Sequence, residues 1–361
     1  MLIIYIMKQL STYLLEHVAP IFEGGAGGHM LHPYLLNWVK TGKDLIRFYE
    51  SVANNMDDLN ASMKIDGVNV SIRMVDGEFV FDRMSPKDIE GIKKDQLVDR
   101  FGAGHGLVKM GGLVLDIFND GIDSCKPELE RLGLLDDETV LFNIEYVDKS
   151  TNLISYSNSF LAIHGLLKFE VNGKNRATHE VSYDQKTLDK LIEKLNKISA
   201  KYGFDVVGSV GIEIKHKPDL NKVLKDSLTI NTYSTPQTET IEQWLKGVNE
   251  FDVTKYINTF PHGRIGVISH KAYVCCTNVD TPLNQVCKKE QDIPNLINSF
   301  VIYEANRRFG DEILRCIDSK IGAGNDNEGI VVRNKSITKT DAPVKITGSF
   351  SINIANSRFA K

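Results

Sequence analysis

The stretch Met63–Arg83 reads MKIDGVNVSIRMVDGEFVFDR. Apolar and polar residues alternate along it, the period of a half-buried strand. Asp76-Gly77 interrupts the alternation with a dipeptide suited to the positive φ angles of a two-residue hairpin turn. Ala61–Asp82 is therefore expected to form two antiparallel strands joined by a tight turn. Short strands connected in this way point to an α+β fold rather than a doubly wound parallel sheet.

The neighbouring segments fit that class. Upstream, Glu23–Pro33 (EGGAGGHMLHP) is a glycine-rich loop. From Thr41 to about Asn54 a helix is expected, with Leu45, Ile46, Tyr49 and Val52 on one face. Downstream, Gly102–Gly106 (GAGHG) is a second glycine loop and Pro127–Leu135 reads as helical. Val140–Val147 (VLFNIEYV) and Phe160–Glu170 (FLAIHGLLKFE) read as buried strands. Lys186–Tyr202 is amphipathic: Leu188, Leu191, Ile192, Leu195 and Ile198 line one side and lysines the other. A helical stretch is expected over roughly Ile293–Ser319, then strands over Gly329–Arg333 and Val344–Ile354. Residues 1–60 read as a helical and glycine-rich N-terminal segment. Residues 61–361 read as one core with an insertion around 171–320.

Composition narrows the class. The 361 residues are 42% hydrophobic and 25% charged, ordinary values for a soluble globular chain. A formal net charge of −4 does not advertise nucleic acid, although a local basic strip can coexist with a negative total. The five cysteines (Cys125, Cys275, Cys276, Cys287 and Cys316) are odd in number and lack CxxC spacing. That argues against a disulfide framework or structural zinc, and suits a reducing cytosol. The opening MLIIYIM is too short an apolar run to span a membrane and lacks a small-residue cleavage site. It reads as the start of an amphipathic helix to about Val18, with Met7 an alternative start. The expected protein is cytoplasmic, with no membrane association and no obligate protein partner.

Four short segments carry chemistry when taken together. Lys64-Ile65-Asp66-Gly67, followed by Val68-Asn69-Val70-Ser71, sets a lysine at a strand end before a glycine turn. Such an amine can enter a cleft and act as a nucleophile. Singly, the same residues read equally as a surface lysine before a turn. Glu145 lies inside the apolar run VLFNIEYV, where a carboxylate is costly unless it meets a cation, metal or hydroxyl. Glu328-Gly329-Ile330-Val331-Val332-Arg333 places an acid before an apolar strand that ends in arginine. Val344-Lys345-Ile346-Thr347 places a lysine in another β-like run.

In this order the set resembles the covalent nucleotidyltransferase superfamily of ATP-dependent DNA ligases, RNA ligases and capping guanylyltransferases. The resemblance implies an α+β adenylyltransferase fold, antiparallel sheets around an ATP cleft, with a helical insertion. Lys64 matches the nucleophile that carries AMP, and Arg83 in FVFDRMS matches the arginine strand. Glu145 matches the ribose-binding acid, Glu328 the acid tied to metal and catalysis, and Lys345 a phosphate-contacting lysine. Asp66, Gly67, Asn69 and Arg333 complete the implied nucleotide site. Phe160 or Ile163 is expected to stack on adenine. ATP and Mg²⁺ (or Mn²⁺) are the implied cofactors, with Glu328 on the metal side.

Asn69 and Ser71 after the lysine are similar to the nick-sealing RNA ligase branch, which usually has His where this chain has Asp66. The Gly-Gly-His-Met-Leu-His-Pro element before the motif is similar to ligase-like proteins of tailed phages, which would put the protein in the host cytoplasm. Three features depart from the family pattern. Ile144 precedes Glu145 where glycine is usual, Thr347 stands in place of a second lysine, and the distance from Glu145 to Glu328 is long. Lys345 is followed by only 16 residues to Lys361, so no C-terminal OB domain is expected in this sequence.

The resulting expectation is an ATP-dependent polynucleotide ligase acting on nicked or broken RNA or DNA ends. Its rivals are a minimal DNA ligase, an adenylyltransferase for another acceptor, and a degenerate nucleic-acid-binding or virion-associated module. Neither GGAGG nor GAGHG continues into Gly-Lys-Ser/Thr, so a Walker loop is unsupported and both read as tight loops or as loops that touch substrate. His29 and His32 are a possible metal pair with no third ligand evident. Lys87, Lys93, Lys94, Arg100 and Lys109 form either a basic strip or an ordinary solvated surface.

Overall fold

Two sheets share the chain, and Lys64–Gly67 is where it passes from one to the other. The computed structural model describes residues 30–39, 42–83, 89–149, 154, 156–172, 175–225, 228–229, 250–251, 305–318 and 328–350. The helix expected up to Val18, together with His29, Lys87, Cys275, Cys276, Cys287 and 293–304 of the expected helical stretch, lies outside those residues; within that stretch 305–315 are helical and Ile317–Asp318 form a strand.

The first strand, β1 (Ala61–Met63), is short because it ends at the lysine motif. The alternating stretch therefore yields three strands rather than two. After the motif come β2 (Val68–Val75) and β3 (Glu78–Asp82), paired antiparallel with Val75 opposite Glu78. Asp76 and Gly77 take φ of 49° and 83°, the left-handed pair that the hairpin requires. The sheet continues through β4 (Val140–Val147), β5 (Phe160–Asn172) and β6 (Asn175–Glu180) in the order β3-β2-β4-β5-β6. All these pairs are antiparallel, while β7 (Asp205–Gly208) adds in parallel beside the start of β5.

Two further pairs are small: β8 (Glu213–Ile214) with β11 (Ile317–Asp318), and β9 (Leu228–Thr229) with β10 (Glu250–Phe251). Strands β12 (Gly329–Val332) and β13 (Val344–Thr347) complete the other main sheet in the order β1-β12-β13. The fold is mixed α+β with predominantly antiparallel sheets.

Each sheet buries one face in its own core. In the larger sheet Val70, Ile72, Met74, Phe142 and Ile144 pack with Val114, Ile117 and Phe118 of the helix Gly106–Arg131. Phe118 lies 5.3 Å from both Phe79 and Phe142, and burying each such ring stabilises by roughly 2–3 kcal/mol. That 26-residue helix corrects the reading of Pro127–Leu135 as the helical segment. Its interior holds Gly111, Gly112, Gly121 and Pro127, which hide it from propensity. The glycines serve packing: a methyl group at Gly121 would come 2.8 Å from Leu195 of the helix Gln185–Ser199. That second helix, expected within an insertion, buries Leu188, Leu191 and Leu195 in this same core.

The second core joins distant parts of the chain. Phe48, Tyr49 and Val52 of the helix Gly42–Asn54 meet Phe309 and Ile313, with Ile330, Val332, Val344 and Ile346 from the smaller sheet. Tyr49 stacks on Phe309 at 4.9 Å, and its hydroxyl donates to Asn306 Oδ1 at 2.6 Å. Residues 42–63 thus belong with 305–346, and the boundary expected at residue 60 separates no cores. No described helix is long and apolar enough to cross a membrane.

Candidate active site

The two sheets meet at the lysine motif. The Met63 N–H donates to Val210 O at 2.7 Å and the Lys64 N–H to Gly329 O at 2.8 Å, extending the β1–β12 pairing to the nucleophile candidate. Glu328 is the residue before β12, so the pairing sets it beside Lys64. Lys64 Nζ donates to Glu328 Oε1 across 264 positions of sequence. Both side chains are about 15% exposed, at 16% and 15%.

Strand alternation builds the opposite wall. Val70, Ile72 and Met74 of β2 face the helices, so Asn69, Ser71 and Arg73 face the other way. In register, Asn69 lies opposite Glu145 and Ser71 opposite Asn143. Asn69 Nδ2 donates to Asn143 Oδ1 at 2.7 Å and to Glu145 Oε2 at 3.5 Å. A bulge in β5 brings His164 to the same place, its Nε2 3.6 Å from Glu145 Oε2. Asn69 Oδ1 and Ser71 Oγ are buried and have no hydrogen-bond partner among the described residues.

Gly67 is what lets the loop lie on this wall. A Cβ there would be 2.6 Å from Tyr146 O, 2.8 Å from Glu145 Cγ and 3.1 Å from Val147 Cγ2. Only a residue without a side chain fits against β4. The Asp66 N–H donates to the Tyr156 hydroxyl at 3.0 Å, which ties the loop from its other side. Beneath it Ile65 packs with Val147, Ile154, Tyr156, Phe160 and Ala162.

Electrostatics follow from the convergence of acids. Burial pushes the Glu328 carboxyl up from its ordinary range; Lys64 opposes the shift, and Asp66 and Glu145 add to it. Burial likewise holds the Tyr156 phenol well above its usual range, with Glu328, Asp66 and Glu145 contributing. One ammonium therefore stands among three carboxyl groups. Among the described residues no group of three His, Cys, Asp or Glu side chains is arranged to hold a metal ion.

The structure brings together Lys64, Asp66, Gly67, Asn69, Glu145 and Glu328. Arg83, just after β3, donates from Nη1 to Asn69 O at 3.2 Å and so borders the site. Arg333 donates to Ser62 Oγ at 3.0 Å and lies 3.4 Å from Glu180. Lys345 is opposite Val331, with Ser62 opposite Val331 on the other side, so the three share the face turned away from the second core. Phe160, expected to stack on adenine, is 4% exposed and packs edge-on against Tyr156 at 5.2 Å. Its ring supports the lysine loop and has no open face. Ile163 faces the helices, within the larger sheet's core.

Tyr156, Asn143 and His164 were not expected here. The alternation in VLFNIEYV already puts Asn143 on the face of Glu145. Nothing local marks Tyr156 or the bulge at His164.

The remaining candidates have ordinary partners. His32 stacks on Tyr34 at 4.9 Å. Lys93 pairs with Glu78, and Lys94 with Asp116 at 2.7 Å. The helix lysines Lys194, Lys197 and Lys201 pair with Glu128, Glu193 and Asp120. Cys125 and Cys316 are buried free thiols.

Comparison with family models, with curated proteins and with solved structures returns no match.

Proposed function

We propose that this chain is an ATP-dependent polynucleotide ligase of the covalent nucleotidyltransferase type, with Lys64 as the residue that carries AMP. The observation that carries the reading is the meeting of Lys64 with Glu328 in a part-buried cleft walled by Asn69 and Glu145. A structural ion pair needs no glycine pressed on β4 and no polar wall with unfilled acceptors.

In the proposed step Lys64 Nζ forms a bond to the α-phosphorus of ATP. The bond from that phosphorus to the bridging oxygen breaks, and pyrophosphate leaves with the electron pair. The ammonium must first lose a proton, and Glu328 Oε1 is the atom it touches. Asn69 Oδ1 and Glu145 are acceptors suited to ribose hydroxyls. A 5′-phosphate then takes AMP from Lys64, and a neighbouring 3′-hydroxyl attacks that phosphate and expels AMP.

The residues fit Mg²⁺ arriving with the nucleotide rather than resting in a protein cage. Mg²⁺ keeps its waters and takes one or two carboxylates plus phosphate oxygens. Glu328, and Asp66 or Glu145 beside it, would hold it. When bound, the ion supplies neutralisation of the charge on the phosphate oxygens. The excess of carboxylates around Lys64 would otherwise repel a polyphosphate.

Incubation with α-labelled ATP and Mg²⁺, beside Lys64→Ala, tests the reading. Acid-stable label on the wild type and none on the variant is expected. An unlabelled wild type with both ATP and GTP refutes it and favours a nucleic-acid-binding module. Sealing of RNA-containing against all-DNA nicks then decides between the RNA ligase and the minimal DNA ligase.

A further inference from the structure

Tyr156 lies in none of the motifs, yet its hydroxyl meets the backbone of the lysine loop. The residue is 7% exposed, its ring set edge-on against Phe160 at an interplanar angle of 83°. The oxygen accepts the Asp66 N–H at 3.0 Å, two residues after Lys64. Asp66, Glu145 and Glu328 are all close enough to act on it electrostatically.

A phenol has one O–H donor besides its acceptor lone pairs. The Asp66 N–H occupies a lone pair and fixes the oxygen, but the hydroxyl proton has no acceptor among the described residues. A buried donor without a partner is destabilising and rare in folded proteins. Glu145, which acts on the Tyr156 hydroxyl electrostatically, is bonded by Asn69, whose Oδ1 is a buried acceptor without a partner among the described residues. A ligand that fills both presents oxygen acceptors and hydroxyl donors together, as a nucleotide does.

We propose that Tyr156 donates its hydroxyl proton to an oxygen of the bound nucleotide, while its oxygen holds the Lys64 loop. This rests on the nucleotide-binding reading of the same cleft. Tyr156 would then be a substrate-contacting residue, distinct from a side chain that only supports the loop.

Equilibrium binding separates the two roles, because Lys64→Ala cannot form the covalent adduct. Calorimetry would compare ATP with Lys64→Ala and with Lys64→Ala/Tyr156→Phe. Loss of a hydrogen bond to the ligand predicts about tenfold weaker binding in the double variant. An adenosine arm locates the acceptor: equal weakening places it on the nucleoside, and weakening for ATP alone places it on a phosphate. Equal affinities for the two variants would overturn the proposal and leave Tyr156 as a positioning residue. Tyr156→Phe would then slow labelling of Lys64 without changing KM for ATP. No ATP binding by Lys64→Ala or by wild type would defeat the nucleotide reading itself, and this inference with it. If Tyr156→Phe lowers the thermal midpoint, 3-fluorotyrosine at position 156 replaces it, since it keeps the hydroxyl. Its fluorine resonance should move on ATP addition, and an unmoved resonance counts against the contact.

Discussion

Gly67→Ala is the perturbation whose cost the structure fixes most closely. The new Cβ would stand 2.6 Å from Tyr146 O and 2.8 Å from Glu145 Cγ, where ordinary contact begins at 3.4 Å. The loop must therefore retreat by about 0.8 Å from a backbone oxygen that cannot rotate aside (3.4 minus 2.6). Overpacking of this kind costs about 1–3 kcal/mol, and the upper half applies because the obstacle is main chain in a central strand. A displacement of about 1 Å in the loop that presents Lys64 would lower the rate of self-labelling roughly 100-fold.

Urea unfolding reads the first effect and the initial rate of label transfer the second. Gly77→Ala is the control. Its φ is +83° but nothing lies within 4 Å, so it should cost about 1 kcal/mol of backbone strain and leave labelling unchanged. A Gly67→Ala protein with the wild-type urea midpoint would refute the packing of the loop on β4. A destabilised variant that labels at the wild-type rate would refute the link from that packing to Lys64.

Three further outcomes are expected. Glu328→Gln should abolish labelling yet gain stability relative to wild type as pH rises. The folded carboxyl is raised, so its contribution is greatest below the ordinary carboxylate range and is lost as it ionises; parallel melts at pH 5 and 8 measure this, and a difference that does not grow with pH would contradict it. Asp82→Ala should cost about 3–5 kcal/mol, because it leaves the buried guanidinium groups of Arg73 and Arg176, each 2.8 Å from Asp82 Oδ2, without their counter-charge. Denaturant titration checks that, and a loss under about 1 kcal/mol would count against the buried triad. Asp137, held down to about 2 by Lys168 at 2.7 Å and by Thr139, should titrate near that value by carboxyl-resolved NMR. Its contribution is present above the ordinary carboxylate range and is lost as pH falls toward 2, and a midpoint near 4 would refute the pairing.

Much of this was legible locally. Alternation located β2 and β3, and the apolar runs VLFNIEYV and FLAIHGLLKFE located β4 and β5, which bury residues on both faces of the sheet. The Asp76-Gly77 turn was legible because two positive φ angles in succession favour these residues. The helix Gly106–Arg131 was not, since the glycines that let it approach Phe81 and Leu195 lower its helix propensity. Composition cannot distinguish a glycine that breaks a helix from one that packs it.

The sequence by itself determined the α+β class, most strand positions, and the residue types gathered in the motifs. The tertiary structure decided their company. It alone joined residues 42–63 to 305–346 in one core, because that burial depends on which distant apolar faces fit together. It moved Phe160 from the candidate ligand face to the support of the lysine loop. It also brought Tyr156 to Asp66, a hydrogen bond between segments 90 positions apart that no local pattern encodes. Periodicity records which face of an element is buried, whereas the contents of a cleft depend on the docking of two sheets, a property of the whole chain.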